Sequence, residues 1–261
     1  MPDTDLATRA HANLVEFVRF LGRLDGNAAV LDEPGIFAIR GGTDFPSTRI
    51  GIPQAGAQLA PAEFVDRACD FLFAGGKTAC VYVRTDDRAL HDEVTGRGFV
   101  EYSTSPEMVC DARLEDRNPP DGVHVRLATT AADVAEYAAI AGHAFRHLSF
   151  PEEITRDAVD NADVMLDPRV AVALAELDGR PVAGACSLLV GDEPNGYVGW
   201  VACHDDARGR GLGDVVTRAV TNEAFDRGAR IVTLEASHFG EHTYARMGYR
   251  ELYRYGVLIK L

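Results

Sequence analysis

The chain has 261 residues, of which 46% are hydrophobic and 25% charged, and its formal net charge is −14. These are the totals of a globular protein with room for a substantial core, in one large domain or two ordinary ones. The negative balance argues against nucleic acid or an anionic membrane surface as partner, because phosphates are held by fields of Lys and Arg; it is compatible with a cationic small molecule.

The N-terminus carries acids where a secretory signal carries bases, and no apolar run follows it. Instead Leu6, Leu14, Phe17, Val18 and Leu21 fall close to one helical face across residues 6–22. Strands are expected at GIFAIR and STRIGI, then a helix at PAEFVDRACDFLFAGG closed by its glycines, and a buried strand at TACVYVR. Another helix, Arg97-Gly98-Phe99 and an apolar segment around Met108, Val109 and Cys110 complete the first half. Leu114 to Gly122, LEDRNPPDG, combines charge, two prolines and a glycine and reads as a linker. The expected organisation is therefore a domain at 1–113, a linker at 114–122 and a second domain at 123–261.

The second half restarts with the strand-like VHVRLAT. Thr130 stands three residues before Asp133, a capping-box spacing that opens an alanine-rich helix through Phe145. RVAVALAELDGRPVAGACSLLV reads as two strands joined at Asp178-Gly179, a strong hairpin signal. There follow a strand at YVGWVAC, a glycine loop, a helix at GDVVTRAVTNEAFDRG, a strand at ARIVTLEA, a short helix near Tyr244 and a last strand at ELYRYGVLIKL. Val94–Tyr102 (VTGRGFVEY) resembles Tyr244–Leu252 (YARMGYREL), and each follows a strand and a short helix. Both halves thus read as copies of one α/β unit.

No stretch is apolar enough for a membrane helix. The five cysteines, Cys69, Cys80, Cys110, Cys186 and Cys203, are scattered, odd in number and without CxxC spacing. They read as reduced thiols of a cytoplasmic protein, and with no HExxH or paired Cys/His spacing no metal is expected.

The glycine loop RGRGLG, Arg208 to Gly213, carries the chemistry. Between a strand and a helix such a loop aims several N–H groups and the positive helix end at one point, an anion site suited to phosphate oxygens. Arg208 and Arg210 add charge that pairs with phosphate. A Walker loop would need Gly-Lys-Ser/Thr, and a dinucleotide fingerprint would need a small residue where Asp214 or Val216 stands; neither fits.

In context the loop resembles that of the GCN5-related N-acetyltransferase (GNAT) family, whose pattern Q/R-x-x-G-x-G/A is met by Arg208, Gly211 and Gly213. Val201-Ala202-Cys203 stands for the family's preceding V-x-V strand. Downstream, Leu234, Ala236, Ser237, Gly240, Tyr244 and Gly248-Tyr249 follow the family's L-x-A-S, glycine, tyrosine and Gly-Phe order. Departures are Asp205 where proline is common, Cys203 for valine and Tyr249 for phenylalanine. The resemblance covers roughly residues 123–261 and implies an α/β (α+β) fold of two GNAT-like domains, each a mixed, mostly antiparallel sheet flanked by helices.

It further implies acetyl-CoA as co-substrate. The pyrophosphate would lie on the backbone N–H groups of Gly209, Arg210, Gly211, Leu212, Gly213 and Asp214, and the pantetheine arm would pair with Val201 and Cys203 as an added strand. That pairing would require Ala183–Val190 to diverge from its neighbour and open a V-shaped cleft. Ser237 and Gly240 would complete the cofactor site. Tyr244 lies where the family places its general acid, and the N–H of Val201 or Cys203 would face the oxyanion. Cys203 itself reads as a small apolar residue rather than a nucleophile. Glu235, Asp192, Glu193, His204 and His238 are all candidates for the base, and His143, His147, Phe145 and Phe150 for shaping the acceptor site. In the first half Val94 stands in the place of Tyr244, and PQAGAQLAP, the counterpart of the loop, has one glycine and no arginine. That half reads as a degenerate copy that packs on the other, closes one end of the cleft or forms a homodimer. The expected activity is acetyl transfer to a small or peptidyl primary amine, possible alternatives being a non-catalytic acyl-CoA-binding regulator or a transferase of another acyl group.

Overall fold

A computed structural model describes residues 2–56, 58–191 and 194–261. In chain order its elements are α1 (Pro2–Leu24), β1 (Ala29–Glu33), β2 (Ile36–Arg40), β3 (Arg49–Pro53), α2 (Pro61–Leu72), β4 (Ala79–Arg84), α3 (Arg88–Gly96) and β5 (Val100–Cys110). Then come β6 (Val123–Leu127), α4 (Ala131–Phe145), α5 (Glu152–Val159), α6 (Ala162–Met165), β7 (Val170–Leu177) and β8 (Arg180–Val190). The remainder is β9 (Asn195–Cys203), α7 (Leu212–Asp226), β10 (Val232–Glu235), α8 (Glu241–Met247) and β11 (Arg250–Lys260). No described helix is long and apolar enough to cross a membrane.

The chain forms two compact units that do not follow its order. Unit 1 holds the residues up to Met108 together with Glu235–Glu241 and Glu251–Leu261, and unit 2 holds Val109–Leu234 and His242–Arg250. Almost all of β11, expected with the second half, thus belongs to unit 1. There it runs antiparallel to β4, from Tyr255 opposite Arg84 to Lys260 opposite Ala79.

In unit 1, β1–β2 and β2–β3 are antiparallel and β3–β4 parallel. The strand β1 is an addition to the sequence reading. Its alternate residues are exposed, so it lacks the apolar run that marks its neighbours. Helix α2 starts at Pro61, whose fixed φ suits a first helical position, and buries Phe64, Val65, Ala68 and Leu72. These side chains meet Ile36, Ala38, Val81 and Val83 of the sheet, Leu90 and Val94 of α3, and Leu258 of β11 in one core. The buried guanidinium of Arg49 donates to the Leu72 carbonyl at 2.6 Å, closing the C-terminal end of α2.

Unit 2 repeats the pairing pattern. β7–β8 and β8–β9 are antiparallel and β9–β10 parallel, with β6 added antiparallel to β7. The β7–β8 turn places Asp178 and Gly179 at φ 52° and 80°, as a two-residue hairpin requires. The linker residues have no helix or strand, yet they are tied to unit 2. Leu114 is buried, its N–H donates to Asn222 at 2.9 Å, and Asn222 donates back to its carbonyl at 3.1 Å. Helices α5 and α6 fall in a segment for which the sequence reading expected no element. Helix α5 packs on α4 at Gly142, where a Cβ would stand 2.9 Å from the Glu152 carbonyl. The repeat is borne out locally: α3 and α8 both end before a glycine with positive φ, Gly98 and Gly248, and both open into the eleven-residue strands β5 and β11.

The α4 cap forms in full: Asp133 N–H donates to the Thr130 hydroxyl oxygen at 3.2 Å, and the Asp133 carboxylate accepts the Thr130 N–H at 2.8 Å. Thr130→Ala removes one half of this exchange. It is expected to destabilise unit 2 by about 1 kcal/mol, a fall of roughly 2–4 °C in Tm for a unit of this size, read by thermal denaturation.

Candidate functional site

Strand β9 is the axis of the site. Its register with β8 passes from Gly184–Ala202 to Cys186–Gly199, so β9 carries an extra residue, and Trp200 takes a φ of 51°. Tyr137 on α4 donates its hydroxyl hydrogen to the Trp200 carbonyl at 2.9 Å. Gly184 makes this approach feasible, since a Cβ there would stand 2.6 Å from the Tyr137 ring. The sequence reading missed the bulge; the tryptophan next to Gly199 was its only trace.

On its other side β9 is registered with β10 only at Gly196–Val232 and Tyr197–Thr233. The rest of β9 has its pairing on β8 alone. This corrects the expected position of the split: Ala183–Val190 stays paired with β9, and the ladder ends between β9 and β10. The strands part before β10 ends: Leu234 and Glu235 have no registered partner on β9, the next N–H, of Ala236, goes to the Pro106 carbonyl at 2.9 Å, and β9 runs on to Cys203. The His204 N–H is spent on the Val182 carbonyl at 2.8 Å. By the alternation of a strand, the N–H groups of Val201 and Cys203 point to the opposite, unpaired edge. Ala202 between them is buried.

From that edge the chain passes through a 3-10 turn, Asp205–Ala207, into the glycine loop. Gly209 and Gly211 have φ of 76° and 77°, in the region that side-chain-bearing residues avoid, and nothing lies within 4 Å of a Cβ built on Gly209, Gly211 or Gly213. Gly211 is the N-cap of α7 and offers no side-chain cap, so the first N–H groups of the helix are left for a ligand or solvent. Leu212 anchors the loop in the core. Asp214 faces away from this role with its side chain, pairing with the buried Arg218 at 2.7 Å, while Arg218 also donates to the Glu115 carbonyl at 3.1 Å. Arg210 is exposed and makes no ion pair among the described residues.

Asp205, read from the sequence only as a departure from a pattern, ties together the polar groups at the end of α4. It accepts from His147 at 2.7 Å and His143 at 3.2 Å, and pairs with Arg208 at 3.1 Å. The His143 and His204 rings lie 4.7 Å apart, and burial, followed by the charge of His143, lowers the His204 pKa. Phe145 packs on Trp200 at 4.9 Å and edge-on to Phe150 at 6.1 Å. Burial raises the pKa of the Cys203 thiol, so it is poorly ionised, as its reading as a small apolar residue requires.

Tyr244 lies on α8, half-buried, with its ring 6.1 Å from that of Tyr249 in an edge-on contact. Tyr249 in turn shares a 2.7 Å hydrogen bond with Thr221 of α7, which ties α8 to the helix that carries the loop. Desolvation raises the Tyr244 pKa, keeping its proton on the hydroxyl. The other sequence candidates are dispersed. Ser237 and Gly240 fall in unit 1, where the Ser237 carbonyl accepts the N–H groups of Gly240 and Glu241. His238 is exposed against Phe239, and Asp192 and Glu193 lie outside the described residues. Among the described residues no group of His, Cys, Asp and Glu is arranged to hold a metal.

Residues 136–249 match the model of the acetyltransferase (GNAT) family. This segment carries the sequence pattern of that family's acetyltransferase domain. Solved structures share its fold over nearly the whole chain. A GCN5-related N-acetyltransferase from Kribbella flavida is 21% identical, with 95% of each chain covered and a TM-score of 0.70. One from Sphaerobacter thermophilus is 16% identical, with 88% of this chain and 82% of that one covered, at 0.63. A tandem GNAT protein from the clavulanic acid biosynthesis pathway is 12% identical, with 96% and 94% covered, at 0.57. No curated protein matches the chain. The mixed sheets and flanking helices of both units are the fold of these structures, and the family match falls in the second half.

Glu235 closes β10 beside the GNAT domain's sequence motif, but its side chain belongs to unit 1. Burial pushes its pKa from the ordinary 4.5 up to about 7, against the opposing hydrogen bonds from Ser105 and Tyr82. A carboxyl raised in the fold stabilises it fully below pH 4.5 and loses that contribution as pH rises to about 7. Glu235→Gln is therefore expected to gain Tm over wild type at pH 8 and to gain little or nothing at pH 4.5. An equal difference at both pH values would contradict the desolvated carboxyl.

Proposed function

We propose that the chain is an acetyl-CoA-dependent N-acetyltransferase that moves the acetyl group directly to a primary amine in a ternary complex. The observation that carries this reading is the unpaired edge of β9, which runs into the N-terminus of α7 through two glycines in the left-handed region. A strand edge, a nest of N–H groups and a helix terminus in that order suit a long ligand with a peptide-like arm and a pyrophosphate end. The open space over Gly209, Gly211 and Gly213 fits the same group.

The roles follow from the groups present. The N–H groups of Gly209 to Asp214 hold the pyrophosphate, and Arg208 and Arg210 supply charge. Val201 and Cys203 pair with the arm. Acetyl-CoA supplies the thioester whose carbonyl the amine attacks. The N–H at Val201 or Cys203 meets the negative charge that develops on the carbonyl oxygen. Tyr244, protonated at neutral pH, gives its hydroxyl proton to the thiolate as the carbon–sulfur bond breaks. The proton lost by the amine balances that transfer. The acidic surface favours a cationic acceptor by raising its local concentration.

Calorimetry with acetyl-CoA is expected to show micromolar binding to wild type and none to Gly211→Trp, in which a side chain is forced into the left-handed region over the loop. Tyr244→Phe should bind acetyl-CoA as wild type does and lose about a hundredfold in kcat in an amine screen. Binding indifferent to Gly211→Trp would remove the loop from the cofactor site. Binding without any turnover of amines would instead favour a regulatory acyl-CoA-binding role.

A further inference from the structure

Unit 1 contains a cavity of about 400 Å³, within the range of small-molecule sites. It sits where β3 and β4 separate. These strands are registered only at Ile50–Cys80 and Gly51–Val81, after which Pro53 forms one wall and Tyr82 and Arg84 another. The place in the sheet is the same as that of the β9–β10 split in unit 2, but the lining is different. The loop from Pro53 to Pro61 has one glycine, Gly56, and no arginine, so the phosphate cradle is missing.

The cavity is built instead for an apolar body with a positive charge. Phe64, Leu59 and Leu90 line it together with Tyr82 and Tyr255, whose rings meet edge-on at 5.9 Å. His11 is spent and uncharged: Nε2–H donates to the Pro53 carbonyl at 2.7 Å, Nδ1 accepts from the Tyr255 hydroxyl at 2.6 Å, and burial lowers its pKa. Arg84 is balanced, because Asp86 accepts from its Nε at 3.0 Å and its Nη2 at 2.6 Å while the guanidinium lies 4.2 Å over the Tyr253 ring. That leaves the carboxylate of Asp87 as the unbalanced charge of the lining. Its Oδ1 accepts the Leu90 N–H at 3.1 Å, which leaves Oδ2 available. Asp87 is exposed, so a cation there stays partly hydrated while tyrosine and phenylalanine rings of the lining take its apolar body.

We propose that this cavity binds a small organic ammonium ion, with its charge at Asp87 and its apolar body against Tyr82, Tyr255 and Phe64. The site is separate from the acetyl-CoA reading and does not depend on it. It gives the half that lost the loop arginines and the acid tyrosine a ligand of its own.

Calorimetric titration of the full chain with 2-phenylethylammonium, 2-phenylethanol and phenylacetate separates body from charge. The ammonium ion should bind, the alcohol more weakly, and the carboxylate least. Asp87→Asn keeps the side-chain oxygen that caps α3. It should weaken the ammonium ion roughly fivefold, the scale of an exposed ion pair, and leave the alcohol unchanged. Ala55→Trp, at an exposed position of the lining, should abolish binding of both, whereas Gly211→Trp in the other unit should alter neither. The proposal is overturned if the ammonium ion does not bind, if it binds no better than the alcohol or the carboxylate, or if Asp87→Asn and Ala55→Trp leave its affinity unchanged.

Discussion

Two registered residue pairs, Gly196 with Val232 and Tyr197 with Thr233, are all that join β9 to β10. That shortness governs unit 2. A parallel pair that continued would satisfy the β9 edge within the sheet and leave nothing for a ligand to pair with. Gly196 lets the strands meet closely where they do pair, since a Cβ there would stand 2.9 Å from Val232 and 3.0 Å from Ala224. Immediately beyond, the bulge at Trp200 increases the twist of β9 as the ladder ends. The hydrogen bond from Tyr137 holds that strained residue from α4, so the helix that carries His143 also sets the edge of the strand. The glycine loop then inherits its direction from β9 and its anchor from Leu212.

How far the sequence showed this depends on the kind of signal. Local chemistry was legible: Thr130 and Asp133 announced their cap, Asp178-Gly179 its turn, and the spacing of Arg208, Gly211 and Gly213 the loop at the head of α7. Each of these depends on residues within a few positions of one another. The split between β9 and β10 was assigned to the wrong side of the strand, because a ladder's end is decided by two segments about thirty residues apart and neither carries a mark of it. The ties of Asp205 to His143 and His147 were hidden for the same reason. The edge strand β1 was missed because its exposed alternate residues, Val30 and Asp32, make it read as a turn-rich connection.

The two units show what a shared topology does and does not retain. Both keep two antiparallel pairings and one short parallel one, and both keep the glycine that ends the helix before β5 or β11. The chemistry has moved apart at single positions. Tyr244 stands on a half-buried helix face, whereas its counterpart Val94 is fully buried in the core of unit 1. The loop of unit 2 has left-handed glycines beside two arginines, whereas in unit 1 the Pro53 carbonyl is held by His11. Backbone pairing is maintained by the requirement that every strand bury its face and satisfy its hydrogen bonds. Loop and helix residues are free of that requirement, and function can be lost or changed there without loss of the fold.

The pairing of β11 with β4 has a consequence for the order in which the protein can come into being. Residues 79–84 leave the ribosome long before residues 255–260, so unit 1 cannot complete its sheet or receive Leu258 in its core until those later residues have been made. Unit 2 has most of its strands in place earlier. The half that is made first therefore has to wait for a later segment, and a cut between the halves would not yield two self-sufficient domains, because unit 1 would lack β11, which lies on the other side of the cut.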